Sequence, residues 1–259
     1  MQSVSDVAQV LRDAVGAGRT ISVSDLDLSG LDRILEHEAG DLTCTVEAGI
    51  RLSALQARLA EHGQMLALDP RGDPTIGACI AGDLSGPRSH RYGRMRDLVL
   101  GVTVVLGDGL VASSGGKVVK NVAGYDLGKL FCGSRGTLGV VVRASLRLHP
   151  VPESSATLVA PIASPDDGEA KRQTILRSTL APSALDVSSG RLALLFEGSR
   201  RAVDVQLDAA RALVGGERAG AAVWDEVRAR RDSEPAAQPT ALVSRIRAEF
   251  DPRGVFVAP

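Results

Sequence analysis

Residues 115–142 read GGKVVKNVAGYDLGKLFCGSRGTLGVVV. Glycine turns open the stretch, a short helical segment lies in its middle, and a β-branched run closes it. Seven of the chain's 28 glycines fall here: Gly115, Gly116, Gly124, Gly128, Gly133, Gly136 and Gly139. So do Lys117, Lys120 and Lys129, three of only four lysines, and Tyr125, one of two tyrosines. Glycine at this density marks backbone that adopts positive φ or passes close to another group. A tight turn system between strands satisfies that pattern, and so does a backbone wall laid against a ligand.

The flanks favour antiparallel strands. Upstream, Leu98 to Leu106 predicts a strand, Asp108-Gly109 is a hairpin signal, and Val111-Ala112 begins the return. Gly107 to Ala112 matches the dinucleotide pattern GxGxxA. However, Ser113-Ser114-Gly115-Gly116 follows where that motif needs a helix, so a hairpin is the reading. Gly116-Lys117 is no phosphate-binding Walker loop, because Val111 and Val118 occupy its glycine and Ser/Thr positions. Downstream, VVRASLRLHP alternates, with Val142, Ala144, Leu146 and Leu148 on one face and Arg143, Ser145 and Arg147 on the other.

Toward the N-terminus, Ser5 is a candidate cap for a helix carrying Val7, Val10, Leu11, Ala14 and Val15, ended by Gly16 and Gly18. Thr20–Val23, Leu26–Leu28 and Thr43–Gly49 are predicted as β-like runs. RLSALQARLAEHG predicts a helix with Leu52, Leu55 and Leu59 on one face and Gly63 past its end. From Leu68 the texture changes: LDPRGDPTIGACIAGDLSGPRSHRYG has little periodicity and an apolar segment inside it. A functional loop with a short helix fits, and its consecutive N–H groups are candidates for an anion nest. After Pro150 and Pro152 glycine thins. ATLVAP, DDGEAKRQTILRSTL, SALDV, RLALLFE and SRRAVDVQLDAARALV follow as strand, helix, two strands turned at Ser189-Gly190, and helix. That order predicts a small α+β sheet with helices on one face. Val223–Arg230 and TALVSRIRAEF are further helices, separated by the EPAAQP linker.

Composition excludes several classes. A net charge of −1 with 3% aromatics argues against a nucleic-acid surface. Cys44, Cys79 and Cys132 are odd in number and widely spaced, which fits a reducing compartment. His37, His62, His90 and His149 are isolated and read as surface or turn residues, and no metal site is expected. The start MQSVSDVAQV lacks a basic, apolar leader, and DLVLGVTVVLG is roughly half a membrane span. A cytoplasmic protein is expected, without direct membrane insertion and at most peripheral to the inner membrane through partners.

TIGACIAGDLSGPRSHRYGRMRDLVLGVTVVLGDG followed by GGKVVKNVAGYDLGKLFCGSRGTLGVVVRASLRLHP resembles the FAD-binding domain of the vanillyl-alcohol oxidase / p-cresol methylhydroxylase (PCMH-type) superfamily. KNVAGYDL…KL…GS.GTLG is most similar to the FAD-binding E subunits of bacterial glycolate oxidase, as are DLSGLDRILEHEAGDLTCTVEAG and FDPRGVF. The resemblance is strong over residues 26–150. It implies an α+β chain: a PCMH-type FAD-binding domain of two α+β subdomains over residues 1–152, a short α+β cap over 153–240, and a C-terminal return over 241–259.

The resemblance further implies non-covalent FAD. Thr75, Ile76, Gly77 and Ala78, with the loop Ala81, Gly82, Ser85 and Gly86, would meet its pyrophosphate and ring. Asp69 and Pro70 would lie on the same wall, with Arg91, Tyr92 and Gly93 beside the cofactor. Gly136, Gly139, Val140 and Val141 would run backbone along the isoalloxazine. Ala78 replaces a usual glycine and Asp83 a common asparagine. Two departures are larger. Val23-Ser24-Asp25-Leu26 joins directly where the family carries a glycine-rich phosphate loop, and the cap is short. The companion D subunit's histidine cluster has no counterpart. The implied function is the FAD-binding subunit of a 2-hydroxy-acid (glycolate-type) oxidase or dehydrogenase, working with a D-like subunit and an iron–sulfur subunit. The alternative is a non-catalytic or degenerate FAD-fold scaffold of such a complex. No catalytic residue is assigned; Lys120 and Tyr125 are the polar candidates of the central motif.

Overall fold

The computed structural model describes residues 1–116, 127–188, 190–231 and 241–257. Helix α1 (Val4–Gly16) starts at Ser3, not Ser5. The Ser3 hydroxyl accepts from Asp6 N–H at 3.1 Å and the Asp6 carboxylate accepts from Ser3 N–H at 3.0 Å, a capping box. Strand β1 (Ile21–Ser22) leads into a 3-10 turn, Val23–Asp25. Leu26–Leu28 is not a strand. Its end turns back, Leu31 N–H reaching Leu28 C=O at 2.9 Å, and seats that carbonyl on Gly49, where a Cβ would stand 1.9 Å from it.

Five antiparallel strands form the main sheet in the order β2 (Ile34–Glu38), β3 (Thr43–Glu47), β7 (Val140–Arg147), β5 (Val99–Val105) and β6 (Val111–Gly115), where β4 is Gln64–Met65. The β5–β6 connection is the hairpin foreseen at Asp108-Gly109. Gly109 has φ +81° and Leu106 N–H bonds Leu110 C=O at 2.9 Å, so the GxGxxA match carries no helix. Helices α2 (Leu52–Ala60), α3 (Ile76–Gly82), α4 (Ser89–Tyr92), α5 (Met95–Leu98) and α6 (Gly128–Phe131) complete this first module. One sheet face buries Cys44, Val46, Ala144 and Leu146 against Leu55, Leu59, Ile76 and Ile80.

Val142 does not share that face. The β5–β7 register slips between Thr103 and Val104, and the bulge turns Val140 and Val142 toward α1, with Leu31 and Phe256, while Val141 joins the first cluster. A bulge re-aims side chains in this way, and strict alternation cannot show it.

Strand β8 (His149–Pro150) pairs β4 and leads to the second module. This is a four-stranded sheet in the order β10 (Ala184–Ser188), β11 (Arg191–Gly198), β9 (Ser154–Pro161) and β12 (Glu217–Ala219). Leu158, Ala160, Leu192, Leu194 and Phe196 face α7 (Pro165–Arg177) and α8 (Arg200–Val214). The helices are not confined to that face. On the opposite one, α9 (Val223–Arg231) packs Trp224 and Val227 against Ala184 and Ala193, and Trp224 Nε1–H donates to Thr157 Oγ1 at 3.0 Å.

The chain then returns to the first module. Ile246 and Phe250 of α10 (Ala241–Phe250) pack on its core, Phe250 meeting Phe131 edge-on at 5.7 Å. The buried Asp251 carboxylate accepts from Val255 and Phe256 N–H, and β13 (Phe256–Val257) pairs in parallel with β1. Among the described residues no helix is long and apolar enough to cross a membrane.

Candidate functional site

Thr75 caps α3, its hydroxyl accepting from Ala78 N–H at 3.2 Å. A phosphate at this turn would need free N–H groups. The structure spends them internally: Ile76 N–H goes to Ile50 C=O at 2.9 Å, Gly77 N–H to Ala48 C=O at 2.7 Å, and Cys79 N–H to Thr75 C=O at 2.9 Å. Pairing of the first-turn donors leaves none to cradle an anion. Gly77 is small for another reason, since a Cβ there would stand 3.0 Å from Ala48 O.

The loop that follows converges on one acid. Gly86 lies against Asp69 so closely that a Cβ would come within 1.9 Å of its carbonyl oxygen. Asp69 Oδ1 accepts from Arg88 N–H at 3.1 Å, and Oδ2 faces Arg228 Nη2 at 3.3 Å. Burial pushes the Asp69 carboxyl above the ordinary range, against the pull of the Arg88 amide and the Arg88 and Arg228 guanidiniums. A cleft of about 520 Å³ opens beside it, lined by Asp69, Pro70, Arg71, Gly72, Asp225 and Arg228. At the far end of α3, Ala81 C=O accepts from Arg135 N–H at 2.8 Å, and a Cβ on Gly82 would meet the Leu84 side chain. Asp83 ends the helix in the left-handed region at φ +46° and pairs with Arg94 at 3.0 Å. Ser85 Oγ accepts from Met95 N–H at 3.2 Å, and Gly93, at φ +87°, lies against Asp97. These bonds place Asp69, Ser85, Gly86 and α4 with Arg91 and Tyr92 in one neighbourhood.

The glycine wall has a second arm. Gly136, at φ +75°, faces Val23, whose Cβ lies 2.6 Å from where a glycine-replacing Cβ would sit. The short Val23–Asp25 turn therefore covers the face expected to meet a flat ring. Gly139 approaches Val105 O, and the Val140 and Val141 side chains are buried. Two further features mark this arm. The Ser134 hydroxyl is buried with no hydrogen-bond partner. Strand β3 pairs with β7 from Arg143 onward, with Ala48 N–H reaching Val142 C=O at 3.0 Å, and among the described residues β7 before that point has no ladder partner on the β3 side. A buried hydroxyl without a partner is a polar group that a bound cofactor could satisfy. The fit to FAD thus rests on the Ser134 hydroxyl on this arm, and is poor at Gly136, which Val23 covers, and at the start of α3. Lys120 and Tyr125 lie outside the described residues.

Sequence reasoning missed three participants. Glu197 is buried at the end of β11, beneath Arg88 and Arg91, and Arg228 reaches Asp69 from α9. His149 is no plain surface histidine. Its Nε2 is buried without a partner, and its ring meets Tyr92 edge-on at 4.9 Å. Burial first, then Arg147 and Arg91, hold the imidazole pKa below its usual value of 6.5. Below about pH 6.5 the unfolded chain therefore binds more protons than the folded one, and stability falls as pH drops through that window. Urea midpoints should fall between pH 7 and pH 5.5 in the parent and fall less in His149→Phe. An identical fall in both proteins would exclude His149 as a source.

Other reactive groups are quiet. Burial raises the Cys44 and Cys79 thiols to about 12, leaving no thiolate near neutral pH. Among the described residues, no group of three or more His, Cys, Asp or Glu could hold a metal ion.

A family profile described as an FAD binding domain matches residues 2–115. The glycolate oxidase subunit GlcE of Escherichia coli is 33% identical over 234 residues, covering 88% of this chain and 65% of that protein. The mitochondrial D-lactate dehydrogenase [cytochrome] 1 of Saccharomyces cerevisiae is 33% identical over 183 residues, covering 70% of this chain and 31% of that protein. The chain thus spans less than two thirds of either relative. Among solved structures, an alkyldihydroxyacetonephosphate synthase superposes with a TM-score of 0.71 at 16% identity, covering 88% of this chain and 54% of that one, which establishes a shared fold.

Proposed function

We propose that this chain, which matches an FAD-binding-domain profile over residues 2–115 and GlcE over 88% of its length, is a PCMH-type FAD-binding protein and the FAD-binding subunit of a 2-hydroxy-acid oxidoreductase. The main support is the GlcE match, which extends over 88% of the chain and so through both modules. FAD is the cofactor. When bound, it supplies an acceptor for the hydride on the carbon that bears the substrate hydroxyl. The chain's share is to hold and orient it: Ser134 and the β7 edge at Val140 and Val141 on one arm, and Asp69, Pro70, Gly86, Arg91 and Tyr92 on the other. The hydroxyl proton needs a base within hydrogen-bond reach, and Lys120 and Tyr125 are the candidates. Electrons would pass on to companion subunits of the glycolate-oxidase kind, a D-like subunit and an iron–sulfur subunit.

A specific observation favours a second reading, a scaffold subunit that keeps the fold without turnover. The N–H groups at the start of α3 are spent, and Val23 covers Gly136 where the family's phosphate loop would stand.

The visible spectrum separates the two readings. The protein, purified alone and co-expressed with companion subunits, is expected to show bound flavin that bleaches on anaerobic addition of glycolate or D-lactate. Flavin that does not bleach in either preparation supports the scaffold. A colourless, folded protein in both preparations defeats the FAD-subunit reading.

A further inference from the structure

We propose that Glu197 and Arg228 of the second module are positioning residues that set where the cofactor wall of the first module stands. The proposal rests on the cofactor reading above. Its basis is a reciprocal pair of clamps across the seam between the modules.

In the first clamp, the first module supplies the arginines. Arg88, just before α4, donates from Nε at 3.1 Å and Nη2 at 2.6 Å, both to Glu197 Oε1. Arg91 on α4 donates from Nη1 to the Glu197 carbonyl at 3.1 Å. In the second clamp, the second module supplies the arginine. Arg228 on α9 donates from Nε to the Asp69 carbonyl at 3.0 Å, and its Nη2 faces Asp69 Oδ2 at 3.3 Å. Each acid is thus held by side chain and main chain at once, from the opposite module. Arg88 also closes the circuit, because its own N–H donates to Asp69 Oδ1 at 3.1 Å.

The acids are dry. The Glu197 side chain is 1% exposed and that of Asp69 9%. Charges held out of water are costly unless paired, so the seam has one favoured arrangement and resists small displacements. Glu197 Oε1 takes both Arg88 bonds, while Oε2 is buried with no partner. Among the described residues the carboxylate is therefore held by Arg88 alone, while Arg91 holds the main chain beneath it. The two segments that receive these bonds, Asp69-Pro70 and Arg88–Tyr92, are those proposed to flank the cofactor. A positioning role follows, rather than general cohesion: the second module has its own core of Leu158, Leu194, Phe196 and Val203, which makes no use of the seam.

The test uses the full chain and two readouts: FAD affinity from flavin fluorescence, and amide hydrogen exchange of the FAD-free protein. Glu197→Gln and Arg228→Ala should each weaken FAD tenfold or more and speed exchange in residues 69–72 and 86–93. Arg228→Lys, which keeps the charge but loses the fork, should fall between parent and Arg228→Ala. Ile175→Val, a packing loss in the second module's core, should change neither readout. Parent-like FAD affinity in both seam variants overturns the proposal, and so does equal weakening in Ile175→Val. If the parent takes up no FAD, the cofactor reading fails on its own. The exchange arm then decides: loosening confined to 69–72 and 86–93 upholds the positioning role, and uniform loosening ends it.

Discussion

Gly86→Ala is expected to cost about 3 kcal/mol or more, a steep penalty for one methyl group. The new Cβ would stand 1.9 Å from the Asp69 carbonyl oxygen and 2.3 Å from its Oδ1. Neither atom is free to retreat. The carbonyl accepts from Arg228 Nε at 3.0 Å, and Oδ1 accepts from Arg88 N–H at 3.1 Å. Pushing Asp69 away would strip two arginines of a partner in a buried setting. A loss of that size in a chain this long lowers the melting temperature by roughly 6–12 °C. Bound FAD should fall with it, since the displaced backbone is that of the proposed wall. Gly16→Ala is the control. A Cβ there meets nothing within 4 Å, and the variant should melt within about 2 °C of the parent. If Gly86→Ala melted like Gly16→Ala, the tight seat of Gly86 on Asp69 would be wrong.

That contact also shows where sequence reading stops. Ser85-Gly86-Pro87 announces a special backbone position, but Asp69 lies 17 residues away and nothing local names it as the neighbour. Features governed by adjacent residues were legible. The Asp108-Gly109 hairpin, the α2 stripe of Leu52, Leu55 and Leu59, and the strand–helix–strand–strand–helix order after Pro152 all stand in the structure. Features governed by distant partners were not. The bulge at Val142 depends on its register with β5, so the face of that residue could not be taken from alternation. Likewise α9 has a weakly amphipathic sequence, and only the apolar Ala193 and Leu195 opposite decide which sheet face it covers. Glu197 left one usable signal: an acid closing the apolar run RLALLFE on the face of Ala193 and Leu195 must find a cation when buried. The sequence has too many arginines to say which.

The Val23–Gly136 contact carries the second large effect, and a double-mutant cycle isolates it. Gly136→Ala should cost about 2–4 kcal/mol, from a left-handed φ of +75° made harder by a Cβ and from a 2.6 Å approach to Val23 Cβ. Val23→Gly removes the opposing atoms and should cost less, because Val23 is only partly buried. The two changes share one clash, so the double variant should be more stable than their sum predicts by about 1 kcal/mol or more, with the φ strain left over. Strict additivity would mean that Val23 is not the neighbour of Gly136. Flavin content of the double variant then distinguishes the covered face from the sequence expectation of a ring beside Gly136. If Val23 alone occupies that face, FAD occupancy recovers together with stability. If stability recovers while FAD stays lost, the added methyl is meeting the flavin itself, and the 3-10 turn must yield that face when the cofactor binds.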